Sequence, residues 1–155
     1  MLKVGDPFPE FSLPVVAGAE GDEKTLTTAD LKGSPSVVYF YPKDDTSGCT
    51  TQACGFQERL AEIPGARVYG VSPDGIKSHR KFAGKFGLAF PLVADEEHVL
   101  AEACGVWGEK SMYGKKYMGI LRTTFVLDAD GRVATVFEGV KPAGHAAEVI
   151  AALPK

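Results

Sequence analysis

Residues Ser36–Tyr41 read SVVYFY, a run in which apolar and polar positions do not alternate. A strand with one wet face would alternate, because successive side chains point to opposite sides of the sheet. A run that is apolar on both faces, rich in β-branched and aromatic residues and stopped by Pro42, is predicted to be a central strand covered from both sides. Such a strand requires a layer of structure above it and another below. The chain must therefore build a sandwich around it, and its remaining segments have to supply the layers.

They do so in alternation. Pro7, Pro9 and Pro14 mark extended arms and edge strands, Ala17–Lys24 a hairpin tip, and Thr27–Gly33 a one-turn helix closed by its glycine. After the polar loop Pro42–Gly48 a helix is predicted from Cys49 to about Ile63, ended by Pro64-Gly65. Strands are predicted at Arg67–Ser72 and Phe90–Val93, and helices at Ile76–Phe86 and Glu96–Cys104. Gly105–Arg122 reads as a long irregular segment. A hairpin follows (Thr123–Leu127 with Val133–Phe137, turned by Asp128–Gly131), then an amphipathic helix from about Ala143 to Leu153. Strands alternating with helices, plus a late hairpin, imply an α/β fold with a central mixed sheet flanked by helices, and 155 residues suit one domain spanning 1–155. In open α/β sheets the loop between a central strand and the next helix is where sites form. Cys49 lies there.

Composition narrows the function. A net charge of -3 offers no reason to expect nucleic acid or an anionic membrane as partner. No apolar run approaches the ~20 residues of a membrane span. Met1–Glu20 lacks the basic, then apolar, then small-residue order of an export signal, so a cytoplasmic location is expected. Three cysteines are too few, and odd in number, for a disulfide scaffold. In a reducing compartment a close pair points to redox chemistry or to metal.

A free thiol is only a few per cent thiolate near neutrality. Sulfur placed at a helix N-terminus meets unsatisfied N–H groups and the positive end of the helix dipole, which favour the anion. Thr46 and Ser47 place hydroxyls beside Cys49, suited to capping the helix or to bonding an incoming oxygen. Position alone leaves open the alternative of a buried, inert cysteine. Cys54 adds a constraint. Five residues along an ideal helix give a displacement of about 7.5 Å and a rotation of about 140°. A disulfide requires Cα atoms within about 7 Å and Cβ atoms within about 4.5 Å. The two thiols cannot bridge inside one intact helix, so a disulfide between them requires the first turns to unwind. Gly55, which weakens a helix interior by about 1 kcal/mol relative to Ala, eases that opening.

The pattern P-x-x-x-T-x-x-C at Pro42, Thr46 and Cys49 resembles the active-site signature of peroxiredoxins. The run YFYPKDDTSGCTTQACGF, and the stretch GVWGEKSMYGKKYMGILRTTFVLD over Gly105–Asp128, are similar to the bacterioferritin comigratory protein or PrxQ subfamily. The likeness extends over essentially the whole chain. It implies a thioredoxin-like fold and a thiol peroxidase that reduces hydrogen peroxide or an alkyl hydroperoxide. It further implies Cys49 as the peroxidatic cysteine, Cys54 as the resolving one, Thr46 and Arg122 in contact with thiolate and peroxide, and Pro42 packed over them. Thioredoxin or another dithiol is the implied reductant and a monomer the implied state. No metal, haem or flavin is needed, because sulfur undergoes the redox change. Ser47 departs from the proline usual in the family and Gln52 from the common glutamate. Arg122 has an argument of its own: it precedes a strand expected beside the central one, and its guanidinium would favour a thiolate and stabilise charge as the O–O bond breaks.

Cys104 reads as a buried structural thiol. A zinc site built from the cysteines with His79, His98 or His145 matches no standard spacing, and the three histidines are expected at the surface. Trp107, Met112, Tyr113, Tyr117 and Met118, set among glycines and lysines in the segment Gly105–Arg122, suggest an apolar wall for an alkyl peroxide, a landing face for a reductase, or simple packing. A disulfide reductase would want C-x-x-C, which is absent. A non-catalytic module using Cys49 and Cys54 as metal or partner ligands is the alternative from another class.

Overall fold

A computed structural model describes residues 1–63, 65 and 67–154. The SVVYFY run forms β3 (Ser36–Phe40), with all five strand residues buried. It pairs in parallel with β4 (Val68–Ser72) and antiparallel with β8 (Thr123–Leu127). β5 (Pro91–Ala94) runs parallel to β4, and β1 (Ser12–Ala17) lies antiparallel to β5. With β2 (Lys24–Thr27) and β9 (Val133–Glu138) at the edges, the seven-stranded mixed sheet has the order β2-β1-β5-β4-β3-β8-β9.

The missing alternation in β3 has its physical cause in two separate cores. Val37, Tyr39 and Tyr41 enter one, beneath α1 (Ser47–Glu58), α2 (Ile76–Phe86) and α4 (His145–Ala152). Val38 and Phe40 enter the other with Phe125, Leu127 and the buried side of α3 (Val99–Cys104). Each large side chain so buried stabilises the fold by about 1.5–3 kcal/mol. Tyr39 stacks on Phe56 of α1, with ring centroids 4.8 Å apart, and on Tyr41 at 5.4 Å. These contacts press the site-bearing helix against the strand that feeds it.

Several expectations are corrected. α1 begins two residues before Cys49 and ends at Glu58, and a separate 3-10 turn covers Leu60–Glu62. The expected stop at Pro64 lies outside the described residues. α3 is shorter than expected, starting at Val99. Gly105–Arg122 is not irregular: β6 (Trp107–Met112) and β7 (Lys115–Ile120) form a hairpin apart from the main sheet. Tyr113 and Gly114 turn it with positive φ at both positions, the geometry that fits the twist of a two-residue hairpin. Its strands carry glycines and charges, so no hydrophobic alternation marked them. Met112, Tyr113, Tyr117 and Met118 are exposed, while Trp107 is half-buried under a stacked His98.

Two of the three histidines expected at the surface are buried. His79 is 0% and His145 2% exposed. Hydrogen bonds make that burial tolerable: His79 has partners on both ring nitrogens, and His145 Nε2 lies 2.8 Å from Thr124 Oγ1. No helix among the described residues is long and apolar enough to cross a membrane.

Candidate active site

α1 starts where Thr46, in extended conformation, ends the loop that leaves β3. The first i→i−4 bond runs from the Thr50 amide to the Thr46 carbonyl, 2.8 Å. The amides of Ser47, Gly48 and Cys49 thus lie in the first turn, where the helix itself supplies no acceptor. Cys49 is the third helical residue, 1% exposed, in the turn where the positive end of the helix dipole lies.

Arg122 reaches that sulfur from the start of β8. Its Nη2 donates to Cys49 Sγ at 3.3 Å, and its Nη1 donates to Gln52 Oε1 at 2.6 Å. Cys49 and Gln52 are three residues apart and so share a helix face. One guanidinium spans both, in the fork geometry that an arginine supplies and a lysine does not. Two features keep the fork in place. The Val140 amide bonds to the Arg122 carbonyl at 3.1 Å. Gly48 leaves the necessary space, since a Cβ there would stand 3.3 Å from both Arg122 Nη2 and Pro142 Cγ.

Thr46 and Pro42 stand at the edge of this arrangement. The Thr46 hydroxyl does not cap α1, contrary to one expectation. It donates instead to the Lys43 carbonyl at 2.8 Å, leaving its oxygen free to accept. Pro42 is half-buried and directly follows the β3 run. Lys110 of β6 is close enough to feel the site: burial lowers its ammonium first and the Arg122 charge adds to that, while Cys49 acts in the opposite sense.

Cys54 sits in the same unbroken helix, half-buried, and both thiols are free. Burial raises the Cys54 thiol above its ordinary value, and Glu58 one turn on raises it further. It borders a groove of about 410 Å³ between α1 and α4, which Gly55, Pro142 and Ala147 also line. Cys104 lies in the opposite core, 0% exposed, its thiol pushed far up by burial and then by Asp95, which suits an inert packing residue. Among the described residues no three His, Cys, Asp or Glu side chains are grouped to hold a metal ion.

Sequence reasoning treated Gln52 only as a departure from a family pattern, and its i+3 spacing from Cys49 was the available signal for its part in the site. Asp44 and His79 carried no such signal, because their pairing spans 35 residues.

Comparison with known proteins identifies the family. The AhpC/TSA family matches residues 4–136. A putative peroxiredoxin bcp of Coxiella burnetii is 42% identical over 154 residues, covering 98% of this chain and 99% of that protein. Peroxiredoxin Bcp of Escherichia coli K12 is 45% identical over 146 residues, 93% of this chain and 90% of the relative. A solved structure of the Xanthomonas campestris bacterioferritin comigratory protein, concerned with alkyl peroxide reduction, superposes with a TM-score of 0.82 at 41% identity, covering 98% of this chain and 95% of that one. By these matches the chain belongs to the AhpC/TSA family as a Bcp/PrxQ-type peroxiredoxin, a thiol-dependent peroxidase with a thioredoxin-type sheet.

Proposed function

We propose that Cys49 is the peroxidatic cysteine and Cys54 the resolving one. The observation that carries this reading is the Arg122 fork, with one arm on Cys49 Sγ at 3.3 Å and the other on Gln52 at 2.6 Å. A cationic donor held this way stabilises negative charge on sulfur before attack and on the leaving oxygen during it. The Cys49 thiolate attacks the terminal oxygen of the peroxide. An S–O bond forms, the O–O bond breaks, and water or an alcohol departs after taking up a proton. Sulfur is oxidised to sulfenic acid and the peroxide is reduced. Thr46, with its own proton committed to Lys43, accepts a hydrogen bond from the hydroperoxide O–H, and Pro42 limits water around the sulfur.

Cys54 then attacks the sulfenic sulfur, an S–S bond replaces the S–O bond, and water leaves. Because α1 holds both thiols, this step follows unwinding of the helix. An external dithiol, thioredoxin in our reading, restores the thiols by exchange. The substrates are hydrogen peroxide and organic hydroperoxides, the latter in keeping with the alkyl peroxide reduction of the Xanthomonas relative. In this reading the enzyme works as a cytoplasmic monomer, because one chain supplies Cys49, Cys54 and Arg122 and the reaction as proposed calls for no residue of a second copy.

One equivalent of hydrogen peroxide should consume two thiols per chain, and mass spectrometry should find Cys49 joined to Cys54. Cys54→Ala should reduce one equivalent and stop as sulfenic acid. Wild-type peroxide consumption by Cys49→Ser would overturn the assignment.

A further inference from the structure

Beneath the loop that leads into α1 lies a buried polar cluster that the reaction as described does not use. Asp44, 7% exposed, is its centre. The Tyr41 hydroxyl donates to Asp44 Oδ1 at 2.5 Å, and the Ser78 hydroxyl to Oδ2 at 2.8 Å. His79 Nδ1 lies 2.7 Å from that same Oδ2, and its Nε2 lies 2.9 Å from the Val93 carbonyl of β5. The Asp44 amide donates to Asp74 Oδ2 at 2.8 Å, and the Ser72 hydroxyl to the same oxygen at 2.7 Å. Next in the chain, Asp45 has positive φ and pairs with Lys85 of α2 at 2.8 Å.

Two consequences follow. Both ring nitrogens of His79 face oxygen atoms, the arrangement in which an imidazolium would donate from both sides and pair with the Asp44 carboxylate. All these side-chain ties of Asp44 and Asp45 run to β3's end, to β4 and its following turn, and to α2. None of them runs to α1. The loop therefore has a foundation independent of the helix that must open.

We propose that His79 is a positioning residue for the peroxidase reaction: its ion pair with Asp44 clamps the loop Pro42–Thr46 to α2, fixing where Cys49 meets peroxide while leaving α1 free to unwind beyond it. This rests on the reading of Cys49 as the peroxidatic thiol. A misplacement of about 1 Å in a reacting group can cost about a hundredfold in rate, so the clamp acts on the oxidation step. Removing His79 would also strand a buried carboxylate, so a gentler variant is needed beside it.

The test measures the rate of Cys49 oxidation by hydrogen peroxide and the KM for thioredoxin in His79→Leu and Ser78→Ala, together with nitrogen-15 NMR of His79 in the wild type. Peroxide oxidation should slow by about tenfold to a hundredfold in His79→Leu and by a few-fold in Ser78→Ala, with the KM for thioredoxin unchanged. Both His79 ring nitrogens should carry protons. Folded variants that oxidise at the wild-type rate would overturn the proposal, as would a parallel change in the thioredoxin KM, which marks general loss of structure. If His79→Leu does not fold, Ser78→Ala and the ring protons decide, and a single ring N–H defeats the clamp. Persisting peroxide consumption by Cys49→Ser would instead defeat the underlying assignment of the nucleophile.

Discussion

In the proposed reaction Cys49 is activated by neighbours that are far away in sequence and close in space. Arg122 is 73 residues downstream, yet its Nη2 lies 3.3 Å from the sulfur. Its second arm on Gln52 fixes the plane of the guanidinium, so charge and direction are supplied together. This gives a way to separate the two contributions. Arg122→Lys keeps the charge but presents one ammonium in place of a fork, and it cannot hold Gln52 and the sulfur in the same geometry. Arg122→Met removes both. The methionine variant should lose about a hundredfold to a thousandfold in kcat/KM for peroxide, the scale of removing a donor aimed at developing charge. The lysine variant should fall between it and the wild type. Equal activity of lysine variant and wild type would show that charge alone suffices and that the Gln52 contact is incidental.

At the scale of elements, the proposed reaction asks α1 to be firm enough to place Cys49 and weak enough to release Cys54. Tyr39 and Phe56 hold it by stacking, whereas Gly55 sits in its interior without a side chain. A Cβ built at Gly55 would meet only the Ala146 Cβ, at an ordinary 3.9 Å. Gly55→Ala should therefore fit, stiffen the helix by about 1 kcal/mol and slow opening about fivefold. Rapid-quench measurement should find slower disulfide formation with unchanged sulfenic acid formation, and more overoxidation at high peroxide. A variant that resolves as fast as wild type would mean that opening of α1 does not limit the step. In the closed helix, burial and then Glu58 raise the Cys54 thiol above its ordinary value. The double-sided burial of β3, the position of Cys49 at a helix start and the impossibility of an in-helix disulfide were legible in the sequence, because each follows from local pattern or fixed geometry. The β6–β7 hairpin was not, since its pairing replaces hydrophobic alternation with glycines and charges. Burial of His79 and His145 was illegible too, because it depends on acceptors (Asp44, Val93, Thr124) brought from other elements.

Across the whole molecule the two layers on the sheet should differ in how they respond to acid. α4 begins at His145, whose ring meets Phe56 of α1 edge-on at 5.8 Å and Phe137 of β9 at 5.3 Å, and bonds Thr124 of β8. Burial lowers the His145 pKa below its ordinary value of about 6.5, with the Arg122 charge adding to the shift and Glu148 opposing it. Its position at a helix N-terminus is likewise unfavourable to a positive charge. A histidine lowered on folding contributes stability that is present above the unfolded value and lost as pH falls through the folded one. Acidification below about pH 6.5 should therefore loosen the seam between α1 and α4, on the side of the sheet that carries Cys49 and Cys54. Tm should fall more steeply between about pH 7 and pH 5 in the wild type than in His145→Gln, which keeps a hydrogen-bonding amide but cannot take up the proton. Amide exchange should locate the loss in α1 and α4 while β3 and β8 stay protected. Identical pH dependence in the two proteins would remove His145 from the account. Acid loosening confined to those helices would mean that the same layer proposed to open for disulfide formation is also the first to yield to protons, with the sheet beneath it held by burial on both faces.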